Sequence, residues 1–256
     1  GNIEAFCKNL PLGFPLSGGL SSGDPAGLNT FEMAGTQWTA NGLSAAILRG
    51  SFNIGTAWGQ AWECTGSRFT ITQSDGYLIK QIDGKPVPEK YMELFGHTQN
   101  EWISPPLNTL CRIYPLGVEQ QTENGLRIIS PICIEKDGNL RMNISLPQGS
   151  TAYIMVGSPE NCQNSIRTAT LQALKQLGNS KPIFALVLVD TAWQSLLQTQ
   201  PGMEVHTVQE VLGKDIPVAG GYTLGQILPP EQPESQPCFA NQHFFISLFA
   251  SGNTQE

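Results

Sequence analysis

Ile183-Phe184-Ala185-Leu186-Val187-Leu188-Val189 is the longest unbroken apolar run in the chain. It is far too short for a membrane span, which needs about 20 apolar residues, and it does not alternate as a half-buried strand would. It therefore reads as a strand covered on both faces, ended by Asp190. Directly upstream, Ser158 is a good helix N-cap, Pro159 suits the first helical position and Glu160 complements the helix dipole. Cys162, Ile166, Ala169, Ala173, Leu174 and Leu177 then fall on one helical face, and Gly178 stops the helix. An amphipathic helix feeding a buried strand places the chain in the α/β (α+β) class.

Outward from this core, the pattern predicts helices over 191–198 and 203–212 and a closing strand over 242–250. Upstream, strands are expected at 43–48, 68–73, 77–82, 111–114, 126–135, 140–146 and 151–156, with tight turns at Asp75-Gly76, Asp83-Gly84 and Asp137-Gly138. Residues 86–95 read as a helix closed by Gly96. A connector at 101–108 carries Pro105-Pro106 and marks a boundary between 1–100 and 101–256. The expected architecture is layered, with mixed β-sheets flanked by a few helices in two related subdomains.

Charged residues make up 14% of the chain, well below the roughly 25% of ordinary soluble proteins, while 40% is hydrophobic, enough for a true core. The net charge of −7 argues against nucleic acid or an anionic membrane as partner. The six cysteines, Cys7, Cys64, Cys111, Cys133, Cys162 and Cys238, lack the tight spacing of zinc, redox or iron–sulfur motifs and read as free thiols of a reducing, cytoplasmic compartment. Gly1 in place of Met reads as a processed or partial chain.

No dinucleotide, P-loop, nucleophile-elbow or zinc-protease motif is present, so the sequence points away from an enzyme, with a cryptic enzyme using Asp190 or a cysteine as the remaining alternative. Gly18-Gly19-Leu20-Ser21-Ser22-Gly23-Asp24 could cradle a phosphate but lacks a lysine, and close packing explains its glycines as well. His97 reads as an exposed loop residue and His206 as lying at the edge of its helix's apolar stripe. His243 enters a strand face shared with Phe245 and Phe249, as a hydrogen-bonded core residue or a pocket residue. Asp190 has two readings: an N-cap for the next helix, or a ligand-contacting acid at a strand end. Gly220-Gly221 mark a tight bend or an opening toward a ligand. Tyr222, Thr223, Gln226 and Asn241 add neutral hydrogen-bonding groups suited to a small polar ligand.

The string Val218-Ala219-Gly220-Gly221-Tyr222-Thr223-Leu224-Gly225-Gln226-Ile227, followed by Phe239-Ala240-Asn241-Gln242, resembles the terminal signature of the FIST C-terminal domain. Pro115 to Val118, Asn139-Leu140, Pro147 to Gly149 and the helix from Pro159 lie in the family's order. Gly59 to Gly66, Phe69 to Thr72 and Ile82-Asp83-Gly84-Lys85-Pro86 resemble the closing part of the FIST N-terminal domain, so the resemblance implies a chain that begins inside that domain. The resemblance implies an intracellular sensory module that binds a small ligand, an amino acid or similar metabolite, and signals by conformational change without turnover. One branch of the family resembles haem-dependent nitric-oxide sensors acting on histidine kinases, which makes His243 a candidate haem ligand; no cofactor is otherwise implied. Three departures fall in the expected pocket. The family's acid is Gln226, its Thr is His243, and its small-or-Cys/Arg segment is Asp190-Thr191-Ala192. The expected ligand site is thus Asp190, Gly220, Gly221, Tyr222, Thr223, Gln226, Asn241 and His243.

Overall fold

The structure is a computed structural model describing residues 3–23, 30–40, 42–119 and 126–252. Asp24 of the glycine loop therefore lies outside the described residues. The chain divides into two compact units: residues 1–61 with 158–256, and residues 62–157.

The first unit is built on a four-stranded sheet in the order Val218–Thr223, Pro182–Asp190, His243–Ser251, Phe52–Gln60. The first pair is parallel, from Ala185 opposite Val218 to Asp190 opposite Thr223, and the other pairs are antiparallel, so the sheet is mixed. The central strand differs from expectation. Ala185, Val187 and Val189 are buried on one face, whereas Phe184, Leu186 and Leu188 on the other are only half-buried.

The covered face is closed by the helix Pro159–Gln176, which begins as expected, with the Asn161 N–H donating to the Ser158 hydroxyl at 3.1 Å. Cys162, Ile166, Ala169 and Ala173 are buried. The edge strand Phe52–Gln60 offers this helix only Gly55, Ala57 and Gly59 on that face. A Cβ at Gly55 would lie 2.0 Å from the Ala173 carbonyl oxygen, and one at Gly59 would lie 2.3 Å from Ser165 Oγ. The helix in turn ties down the edge: the Gln176 side chain donates to Thr56 O at 2.7 Å and accepts from Thr56 N–H at 2.9 Å.

The same glycines hide this strand in the sequence, because a run of small residues carries no apolar signal. Residues 43–48, expected as a strand, form none; Leu43, Ile47 and Leu48 are exposed and pair with no strand among the described residues. The helices Thr191–Leu196 and Met203–Leu212 form where expected. Gly18–Gly19, Gln226–Leu228 and Cys238–Ala240 make a small antiparallel sheet.

The second unit is an antiparallel sheet in the order Pro131–Ile134, Leu140–Met142, Leu78–Ile82, Trp62–Asp75, Thr151–Gly157, Leu116–Glu119, Leu126–Ile129, with Lys85–Pro86 beside Leu78–Ile82. The helix Val87–Phe95 ends at Gly96, whose φ of 75° suits a residue without a side chain. The boundary expected at 100/101 falls inside this unit. Tyr91, Phe95, Trp102 and Tyr114 form one aromatic cluster across it, with ring centroids 4.3–5.6 Å apart. Two expectations of secondary structure are corrected there. The connector begins inside the helix Gln99–Trp102, started by a Thr98/Glu101 capping box, and 111–114 holds a 3-10 turn, Cys111–Ile113. Among the described residues no helix is long and apolar enough to cross a membrane.

Candidate functional site

Strand direction gathers the polar residues at one end of the first unit's sheet. Asp190 closes the central strand beside Thr223, while His243 opens the antiparallel closing strand opposite Gln60. Asp190 is buried, and both carboxylate oxygens are used within the fold. One accepts from the Ala192 N–H at 3.0 Å, which caps the helix Thr191–Leu196, and the other from the Gln242 N–H at 2.9 Å. The Gln226 amide and the Gly225 N–H also donate to it; burial nonetheless raises its pKa, with these hydrogen bonds opposing the rise.

Gln226 is the hinge of the cluster. Its Nε2 donates to Thr223 Oγ1 at 2.9 Å and its Oε1 accepts from the His243 N–H at 3.1 Å. A carboxylate at 226 could accept but not donate, and would face the Asp190 carboxylate. Two departures from the family pattern, at 190 and 226, thus meet in space and compensate. The carboxyl sits at Asp190, and the neighbour is an amide that can donate to it.

Asn241 and Gln242 are fully buried. Gln242 takes a φ of 64°, unusual for a residue with a side chain, and its carbonyl accepts from the Trp193 indole N–H at 3.0 Å. The Asn241 carbonyl accepts from Nδ1 of the half-buried His243. That contact places the proton of the neutral ring on Nδ1 and leaves Nε2 as an acceptor. Burial lowers the His243 pKa, opposed by the bond to Asn241.

The structure therefore brings together Asp190, Thr223, Gln226, Asn241 and His243. Gln242 and Trp193 belong with them and went unread, because a positive φ at Gln242 leaves no mark in the sequence; a Trp placed in the first turn after Asp190 was the signal available. Three expected residues stand apart. At Gly220 a Cβ would lie 1.7 Å from the Val187 carbonyl oxygen, so close approach of the neighbouring strand accounts for this glycine. Gly221 is exposed with open space beside it. Tyr222 lies on the opposite sheet face from Thr223, and its hydroxyl donates to Glu204 at 2.8 Å.

The glycine loop also packs closely: a Cβ at Gly19 would meet the Thr223 side chain at 2.3 Å. The His97 and His206 side chains are exposed, 3.6 Å from Glu101 and 3.3 Å from Glu210. Among the described residues no group of three or more His, Cys, Asp or Glu side chains could hold a metal.

The FIST N domain model matches residues 1–85, and the FIST C domain model matches residues 89–229. No curated protein and no solved structure matches the chain.

Proposed function

The chain belongs to the FIST family of sensory, signal-transduction domains, and from that premise we propose that it binds an amino acid or similar small metabolite at the His243 end of the sheet. The observation that carries this reading is the contact between His243 Nδ1 and the Asn241 carbonyl. With Nδ1 donating to the Asn241 carbonyl, Nε2 is an acceptor suited to a ligand's ammonium or hydroxyl group.

Binding acts through Gln226, whose amide links Thr223, Asp190 and the His243 backbone. A ligand that draws on the imidazole shifts that amide and with it the strand Gln226–Leu228. The signal is then a change of population between two arrangements, read by a partner such as a histidine kinase. The protein works in the cytoplasm and without turnover. The buried amides and the neutral ring favour recognition over charge-driven chemistry.

Thermal-shift titration against the common amino acids tests this. A true ligand at 100 times its Kd stabilises by about 2.7 kcal/mol. The shift is expected to be lost in His243→Ala and weakened in Gln226→Ala. A ligand-induced shift of equal size in both variants and the parent, or none with any compound, refutes the assignment.

The His243 tautomer also favours a second reading, a haem-dependent gas sensor, since an axial histidine commonly donates its other ring N–H to a carbonyl. The residues fit the iron ligand but not the macrocycle. Phe245 is fully enclosed, and Phe249 packs against Phe52 and Phe184 with centroids 6.4 and 5.7 Å away. An absorption spectrum after haem addition separates the readings. A Soret band lost in His243→Ala supports the gas sensor, and an unchanged free-haem spectrum removes it.

A further inference from the structure

We propose that Cys7 and Cys238 are a thiol pair that closes to a reversible disulfide on exposure to a hydroperoxide, placing a redox input next to the His243 site. All six cysteines are thiols in the structure. The helix Ile3–Lys8, which carries Cys7, packs against the strand Cys238–Ala240, which opens with Cys238. Three hydrogen bonds hold the adjoining segments together. The Gln236 side chain donates to the carbonyls of Lys8 at 2.9 Å and Leu10 at 2.6 Å, and the Gly13 N–H donates to Ser235 O at 2.8 Å. This packing sets the Cys7 and Cys238 segments side by side, and a disulfide between them requires Cα atoms roughly 4.4–6.8 Å apart.

Exposure divides the roles. Cys238 is exposed and meets the oxidant, while Cys7 is buried behind it and resolves. The Cys238 thiolate attacks one peroxide oxygen; an S–O bond forms, the O–O bond breaks and the first water leaves after protonation. Cys7, as its thiolate, then attacks the sulfenic sulfur. The S–S bond forms, the S–O bond breaks and the second water departs. Two thiols have lost two electrons and two protons, and the peroxide has become two waters. A dithiol reductant reverses the process by exchange.

The other neighbouring pair offers no exposed thiol: Cys111 is fully buried, with its thiol donating to Asn108 O at 3.3 Å, and Cys133 is half-buried. Closure of Cys7–Cys238 would pin the helix to a strand whose Ala240 is paired with Gln226, so oxidation restrains the residue that links the polar cluster.

The experiment treats the full chain, dilute, with hydrogen peroxide, blocks remaining thiols, and maps tryptic peptides without reduction. The expected product is a cross-link between residues 1–8 and 215–256, absent after dithiothreitol treatment, with Cys111 and Cys133 still alkylated after unfolding. Cys64→Ser leaves the yield unchanged; Cys7→Ser and Cys238→Ser abolish it, and Cys7→Ser accumulates a sulfenic adduct on Cys238. Over-oxidation of Cys238 to sulfinic acid while Cys7 alkylates normally overturns the proposal. So does a cross-link that appears only between two chains. Both are read on the unmodified protein, so neither depends on a variant folding.

Discussion

Asp190→Ala tests the polar cluster at its one charged member. The substitution removes the N-cap of the helix Thr191–Leu196, which typically costs about 0.5–2 kcal/mol. It also strips the acceptor from the buried Gln242 N–H, held at 2.9 Å, at about 1–3 kcal/mol for an unmet buried donor. The Gln226 amide and the Gly225 N–H lose a partner as well, whereas release of a desolvated carboxylate offsets part of the loss. The expected net cost is about 3 kcal/mol, a sizeable share of a typical domain's stability.

Asp190→Asn keeps one accepting oxygen but turns an amide N–H toward existing donors, so about half that cost is expected. Urea denaturation at pH 7 measures both, with the comparison valid where the slope is unchanged. A loss under about 1 kcal/mol for Asp190→Ala, or an Asn variant no better than Ala, refutes the hydrogen-bonding argument. The pH profile gives a second check. Because burial raises this carboxyl's pKa, its contribution to stability is full below the unfolded value near 3.9 and is lost as pH rises through the folded value. Asp190→Asn should remove that slope.

Gly220→Ala is expected to destabilise by about 3 kcal/mol or more, since the methyl would collide with the Val187 carbonyl, while Gly221→Ala meets open space and stays within about 0.5 kcal/mol; urea midpoints of the two separate a packing role from a ligand role. Gly55→Ala forces the helix Pro159–Gln176 away from the sheet and should cost more than Gly59→Ala, where the obstructing atom is a hydroxyl that can rotate; circular dichroism melts rank them. His243 has its pKa lowered by burial, so its contribution is full above the unfolded value near 6.5 and is lost as pH falls through that value toward the folded one; His243→Gln should flatten the stability profile in that window.

The helix after Ser158 and the helix Met203–Leu212 were legible because caps and apolar stripes are local signals. The central strand was legible too, but the half-open state of its second face was not, since a continuous apolar run does not say what lies above it. The edge strand Phe52–Gln60 was illegible because its role depends on the absence of side chains at Gly55 and Gly59, a requirement set by a helix more than a hundred residues later. In the polar cluster, residue types pointed to Asp190, Thr223, Gln226, Asn241 and His243, which the fold brings together. Their partners were set by backbone direction at Gln242 and by the alternation that turns Tyr222 away toward Glu204.

The first unit is discontinuous in the chain, and that has a consequence for how it is made. A ribosome emits the edge strand Phe52–Gln60 long before its neighbour His243–Ser251, so through most of synthesis this glycine-rich ribbon has no mate. The unit spanning 62–157 is completed in that interval by pairings among its own strands. The nascent protein should therefore acquire structure from the middle outward, with the Asp190–His243 end of the sheet sealed last and most slowly, as expected of contacts that must wait for distant sequence.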